Sequence, residues 1–436
     1  MSDLPRLRTP ALFNAAEYWL APERFVRRCE PLGNRFLVTM PASQPWLCLT
    51  NPDDIRSVFA ADTGVLRLGA ALAKNAPHPL LLGPTGLTNV DGDEHTSRRK
   101  MQLAPFRGRA LGNYEDVMER KTEDMLADWP YGRPTRADTQ MQAISLEVII
   151  AVVFGVTDPE RVERLRAATL ALIREGNSRR FFVQTMIVTA RNKGWDGPFP
   201  RIRAAMAAVD AIVVEEAAER RKNSELDQDD VLGMFLRACD EKGNPMPDSE
   251  ICDAMRTLLL GGHETTASTL AWILEQVTRQ PDVLARLEAA VLDGDDDYVD
   301  AVIKEAMRLR PVFPVTARLA SEDFALGDLT IPEGTLVVPH ITLVHRRADL
   351  YPDPLAFRPE RFLDSRAGTY EWIPFGGGPR RCIGAGFSLL ETRVVLRTML
   401  RHARLLPTRR RAERIARHTV TIAPARGAIV TLERRA

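Results

Sequence analysis

Between Asp248 and Arg279 the sequence keeps one helical period without a break. Ile251, Met255, Leu258, Gly262, Thr265 and Thr269 follow each other at three- and four-residue steps, so they share one face of a long helix. Asp248 or Ser249 is placed to cap its start, and Pro281 prevents its continuation. Further helical patterns cover Tyr114–Trp129, Gln140–Phe154, Asp158–Arg174, Arg201–Lys222, Asp229–Cys239, Asp282–Leu292, Asp300–Leu309 and Gly384–His402. Strand-like runs are short: Arg35–Met40, Trp46–Thr50, Val315–Leu319, Phe324–Ile331 and Thr335–Pro339, with turns at Gly327 and Gly334. The expected fold class is mainly α with a smaller β-rich part. The helix-rich region is about 90–310, the β-rich parts are about 30–60 and 312–340, and a hairpin is expected in the tail from Thr419. No linker composition interrupts the chain, so residues 1–436 are expected to form a single domain.

The charge balance is Lys+Arg 59 against Asp+Glu 58, a net charge of +1, which argues against a nucleic-acid partner. Hydrophobic residues make up 45% of the chain, enough to exclude a disordered or disulfide-scaffold protein. The polar start MSDLPRLRTP carries no secretory pattern. The longest apolar run, Val148–Val156, falls short of the roughly 20 residues a membrane span needs, so no membrane anchor is expected. The five cysteines, Cys29, Cys48, Cys239, Cys252 and Cys382, include no CxxC pair. That suits a reducing, cytoplasmic compartment.

Cys382 has unusual neighbours. Phe375-Gly376-Gly377-Gly378-Pro379-Arg380-Arg381-Cys382-Ile383-Gly384 places three glycines where the backbone can approach a flat ligand closely. The cysteine stands just before a helix, whose N-terminal dipole favours thiolate, and two arginines add positive charge. A Gly-rich loop alone also serves as a phosphate cradle or a plain turn. The cysteine and arginine at these offsets point instead to a single strong axial ligand for iron. In the long helix, Gly261-Gly262-His263-Glu264-Thr265-Thr266 puts two glycines in a helix interior, at a cost of roughly 1–2 kcal/mol relative to alanine. Two readings stay open for it. Ligand space beside Gly262, with Thr265 pointing in, would offset the cost. A close helix crossing at Gly262, with Glu264 facing solvent, would do the same. His263 has no assigned role.

The pattern Phe-x-x-Gly-x-Arg-x-Cys-x-Gly, complete here from Phe375 to Gly384, resembles the haem-binding signature of the cytochrome P450 family. The Gly-Gly-His-Glu-Thr-Thr segment is similar to the family's oxygen-activation motif. Glu305-Ala306-Met307-Arg308 and Pro359-Glu360-Arg361-Phe362 resemble the family's Glu-x-x-Arg and its later partner arginine. The resemblance implies the cytochrome P450 fold, with haem b (iron protoporphyrin IX) between the long central helix and the cysteine-loop helix. It implies Cys382 as the thiolate ligand of the iron, with Phe375, Gly376, Gly384 and Gly262 bordering the cofactor. His95 and Arg99, an i,i+4 pair, would meet the haem propionates together with Arg318 and Arg380. Thr265 would orient dioxygen and its protons, and Glu264 would relay protons from solvent. Glu305, Arg308 and Arg361 would form a buried structural set.

By the same resemblance the protein is a monooxygenase of the soluble bacterial type. The segments expected to line the distal pocket contain Leu80, Leu81, Leu82, Phe181, Phe182, Met186, Leu258, Val312, Phe313 and Val315, which suggests a small lipophilic substrate such as a fatty acid, terpenoid, steroid or macrolide-like molecule. Arg179 and Arg180 either meet a substrate carboxylate or face water. No flavin or nicotinamide fingerprint is present, so electrons are expected from a ferredoxin or flavodoxin with its reductase. Arg98, Lys100, Arg107, Arg109 and Arg381 form a candidate basic docking face. The run Arg409-Arg410-Arg411 reads as a solvated face. Alternatives are a haem-thiolate peroxygenase or isomerase needing no external electrons, a haem sensor or ligand carrier, and an enzyme with Cys382 as a free nucleophile.

Overall fold

The long helix spans Asp248–Thr278, about 46 Å at 1.5 Å per residue. A computed structural model describes it within residues 1, 3–41, 43–75, 78–191, 199–223, 228–364, 368–408, 411–418 and 421–435. Every residue from Thr266 to Thr278 is buried, as in a helix that passes through the interior. The helices Ala137–Ile149, Pro200–Lys222, Val231–Arg237, Asp296–Leu309 and Ala385–His402 pack around it. The expected cap is not formed. Pro247 occupies the N-cap without a side-chain bond, and the Asp248 carboxylate accepts instead from Arg221 Nη2 at 2.7 Å.

The apolar run after Val148 extends Ala137–Ile149 as a π-helical turn, Ile150–Phe154, closed by Gly155 at φ +60°. The combined segment Ala137–Phe154 is apolar and long enough to cross a membrane, yet 67% of it is buried inside the protein. It lies along the central helix as core.

Five short strands form one sheet in the order Arg35–Val38, Trp46–Leu49, Leu336–Pro339, Arg318–Ala320, Leu66–Arg67. Trp46–Leu49 and Leu336–Pro339 run parallel, with Cys48 opposite Val338; the other pairs are antiparallel. Phe324–Ile331 folds as two strands paired across the expected turn at Gly327. The tail hairpin joins Ile415–His418 to Thr421–Pro424, so it starts before Thr419, which lies outside the described residues. Arg411 is exposed, and its neighbours Arg409 and Arg410 lie outside the described residues.

Three N-terminal helices have no counterpart in the pattern reading: Ala11–Leu20, Pro22–Cys29 and Pro52–Ala60. Their signals are local. Pro52 sits at the first helical position, and Asn51 caps it by accepting from the Asp53 amide at 2.8 Å. In Pro22–Cys29 the buried side is Phe25, Val26 and Cys29, one stripe among charges.

Arg308, with no exposed side chain, fixes the chain that leads to the cysteine loop. Its Nε and Nη2 donate to the Glu305 carboxylate at 2.7 and 2.8 Å. Nη1 donates to the His345 and Pro354 carbonyls at 2.7 and 2.8 Å, and Nη2 also reaches Ala356 O at 3.2 Å. All five N–H donors are therefore engaged. Glu305 Oε1 further accepts from the Arg358 amide at 2.8 Å and from Arg361 Nε at 3.2 Å. His345 Nε2 accepts from the Ile373 amide at 2.9 Å, which leaves Nδ1 to donate to Arg308 O at 3.1 Å. Removing one member of such a set strands a buried charge, at a cost of about 3–5 kcal/mol. Glu305→Leu is expected to unfold that much more easily in a denaturant titration and to retain little haem; a loss below about 1 kcal/mol would contradict the network's role.

Glu391, on the helix after the cysteine, is fully buried with neither carboxylate oxygen in a well-formed hydrogen bond. Burial pushes its carboxyl up to about 8, and only the Ser145 hydroxyl acts the other way. An unfolded chain releases this proton near 4.5, whereas the folded chain keeps it to about 8. Glu391 therefore subtracts stability as pH rises through that window, by about 1.4 kcal/mol per pH unit. In Glu391→Gln, the difference in unfolding free energy from the parent should shift steadily in the variant's favour up to pH 8 and then level off. A flat difference would be the contrary result.

Candidate active site

Cys382 stands at the mouth of the helix Ala385–His402, in a loop that only glycine can build. Gly376 and Gly378 have φ of +68° and +62°. A Cβ on Gly378 would lie 1.8 Å from Phe59 O. The Cys382 amide donates to Phe375 O at 2.9 Å and the Arg381 amide to Gly378 O at 3.0 Å, which closes the loop. Behind it, Phe375 packs edge-on against Trp372 at 6.0 Å, whose Nε1 donates to Lys304 O at 3.1 Å.

The thiol is exposed on its open side and walled in by protein behind. Burial pushes its pKa up, against the pull of the Gly384 amide and of Arg99 and Arg381. The Gly384 amide, Arg99 and Arg381 are the groups that favour the thiolate here. Arg380, one of the two arginines credited with that role, is occupied elsewhere. It donates to Leu87 O at 2.8 Å, to Val90 O and to the Asp91 carboxylate.

His95, Arg99, Arg318 and Arg380 come together from three distant parts of the chain. Burial, then the charges of Arg380, Arg99 and Arg318, pushes the His95 imidazole down to about 3. His95 is thus neutral at pH 7, and its Nδ1 is buried without a partner. Burial, then the charge of Arg380, lowers Arg318 to about 10. Burial likewise lowers Arg380 to about 10, with Arg99 adding repulsion and Asp91 opposing it. Arg99 Nη2 donates to Arg381 O at 2.7 Å. Arg318 Nη1 donates to Ala317 O at 2.8 Å. Three guanidiniums with Asp91 as their acid form a partly buried cluster short of negative charge, and a ligand carrying two carboxylates fits it.

The central helix lies against the cysteine-loop helix, where the Thr266 and Ser388 hydroxyls are 3.2 Å apart. Gly261 is exposed although it lies mid-helix, and a Cβ there would meet nothing within 4 Å. Gly262 is different: its Cβ would come 3.2 Å from Ile149 Cδ1. Gly262 thus lies at a crossing with the neighbouring helix, and Gly261 stands beside open space. Added Cβ atoms at Gly376 and Gly384 would also face open space. Thr265, one turn on from Gly261, donates its hydroxyl to Gly261 O at 2.7 Å. Glu264 Oε1 accepts from Thr421 Oγ1 at 3.1 Å. His263 is buried with Nε2 at 2.9 Å from Gln142 O, a packing role.

Other expectations divide. Leu81, Leu258 and Val315 are partly exposed and Phe313 exposed, whereas Leu80, Leu82, Phe181 and Val312 are buried. Phe181 stacks on Phe199 with ring centroids 5.8 Å apart. The side chains of Phe182 and Met186 lie outside the described residues. Arg179 and Arg180 are exposed. Arg98 is not a docking cation, because it pairs with Glu94 and Glu250. Lys100 pairs with Glu241 at 2.8 Å. Arg107, Arg109 and Arg381 are exposed. A cavity of about 440 Å³ borders the loop, with Lys304, Phe362, Tyr370, Trp372 and Arg381 in its wall. Pattern reading missed Asp91, Gly261 and Thr421; only Gly261, at i,i+4 from Thr265, carried a local signal.

An anion-seeking cluster makes a double-sided prediction. Arg318→Met keeps the stem and removes a charge. A charge-assisted hydrogen bond is worth about 1.5–3 kcal/mol, so haem transfer to apomyoglobin should run roughly 10–100 times faster. The haem-free variant should be no less stable than the haem-free parent, since repulsion is relieved. Unchanged haem retention would count against the cluster as a carboxylate site.

Comparison with known proteins agrees with this geometry. Residues 5–430 match the family described as Cytochrome P450. A Mycobacterium tuberculosis protein named cytochrome P450 137 is 37% identical over 85% of this chain and 77% of its own length. A Mycobacterium bovis protein named cytochrome P450 138 is 32% identical over 99% of this chain and 96% of its own. Among solved structures, a retinoic acid-bound cyanobacterial CYP120A1 superposes with a TM-score of 0.80 at 22% identity, over 99% of both chains. The fold, the cysteine loop and the near-complete family match lead to one conclusion: the chain belongs to the cytochrome P450 family and is a haem b-dependent monooxygenase.

Proposed function

We propose that the chain works as one domain that inserts an oxygen atom from dioxygen into a small lipophilic substrate, with Cys382 as the ligand of the haem iron. The observation that carries this reading is the anion-short cluster of Arg99, Arg318, Arg380 and neutral His95 beside an exposed cysteine thiol. The three arginines and His95 hold the haem propionates. Gly376 and Gly384 leave the loop side free of side chains, and Gly261 does the same on the central helix. Haem b, once bound, supplies the dioxygen chemistry.

The protein's own residues manage protons. Thr265 gives its only hydroxyl proton to Gly261 O, so its oxygen lone pairs stay available to accept a bond from a protonated group in the cavity. Glu264, the neighbouring residue on the helix, takes up and releases the protons consumed. The partly exposed Leu81, Leu258 and Val315 and the exposed Phe313 favour an apolar substrate. Electrons come from an acidic ferredoxin or flavodoxin with its reductase. It docks on the cysteine-loop face, where Arg107, Arg109 and Arg381 are exposed and the 440 Å³ cavity offers an aromatic wall. All five cysteines are free thiols, which suits a cytoplasmic location.

Thr265→Ala is expected to retain haem and substrate binding but to divert most reducing equivalents to hydrogen peroxide, measured as the peroxide-to-product ratio per NADPH with a surrogate reductase. Coupling equal to the parent's would refute the role assigned to Thr265.

A further inference from the structure

We infer that Thr421, on the tail strand, is the positioning residue for Glu264: its hydroxyl holds the carboxylate beside Thr265. This rests on the reading of Glu264 as a proton-relay residue. Thr421 is 3% exposed. A strand position so buried suits valine as well as threonine on packing grounds, and an unpaired hydroxyl there would cost free energy. The hydroxyl is spent on Glu264, 3.1 Å away.

The strand does not depend on that bond for its place. The Ile422 amide donates to Val312 O at 3.0 Å. Trp272 Nε1, eight residues beyond Glu264 on the central helix, donates to Ile422 O at 3.2 Å. The partner strand Ile415–His418 pairs in register, His418 opposite Thr421, and its Arg417 guanidinium stacks on Tyr18 at 3.9 Å from the ring centroid. Core helix, Val312 segment and N-terminal helix thus fix the Thr421 hydroxyl, and the flexible Glu264 side chain is the part that is held. A carboxylate that accepts from a fixed hydroxyl takes a reproducible direction, which a relay needs.

Thr421→Val, Thr421→Ser and Glu264→Gln test this in the haem-loaded protein. Thr421→Val should keep the parent's reduced carbon monoxide spectrum and bind substrate within about twofold by spin-state titration, with peroxide formation rising several-fold. Thr421→Ser should restore coupling. If the valine variant fails to load haem, Thr421→Ala is read in its place. Normal coupling in Thr421→Val alongside uncoupling in Glu264→Gln overturns the positioning role. Normal coupling in Glu264→Gln overturns the relay reading beneath it. Thr421→Ser uncoupled as badly as Thr421→Val also overturns the inference.

Discussion

Arg308 is a charge in the protein interior that water does not reach, and the structure around it is arranged so that none of its five donors goes unpaired. The segment that satisfies it runs from His345 to Ala356, and Glu305 gathers the Arg358 amide and Arg361 from just beyond. His345 passes the constraint on to Ile373, two residues before Phe375. The cysteine loop is thereby set relative to the helix Asp296–Leu309, and Trp372 ties the same helix at Lys304. A buried ion pair is weak evidence for stability by itself. Here its effect is positional, since it decides where Cys382 stands against the central helix.

The site gathers positive charge with little to balance it. Three arginines and a neutral histidine gather where Asp91 is the acid they have. The cysteine thiol is biased toward its protonated form. Both features are costs that a ligand carrying two carboxylates and a metal cation would relieve. A group that binds the folded chain and not the unfolded one adds to its stability.

Much of this was readable from the chain. The cysteine loop, the Glu305–Arg308 pair and the His95–Arg99 pair are local motifs, whereas Arg361, 56 residues from Glu305, was indicated only by the family resemblance. The long helix was legible from its period, though its cap was not, because Pro247 leads directly into it and Asp248 is drawn to Arg221. Gly262 and Gly261 could not be told apart in sequence, since the difference lies in Ile149 approaching one of them from another helix. Arg98 and Lys100 looked like docking charges until Glu250 and Glu241 came into reach. Thr421 lies 157 residues from Glu264, and no periodicity links them. Apart from the three N-terminal helices, whose Pro and cap signals are local, what stayed hidden was contact between distant segments.

The central claim is that Cys382 is the iron ligand and that this chain is a haem-thiolate protein. The most direct test is the absorption difference spectrum of the reduced, haem-loaded protein with and without carbon monoxide, for the parent and for Cys382→Ala. The account predicts a strongly red-shifted Soret band in the parent that is absent from the variant. A parent band at the position of histidine-ligated haem, or a red-shifted band that survives loss of Cys382, would contradict it.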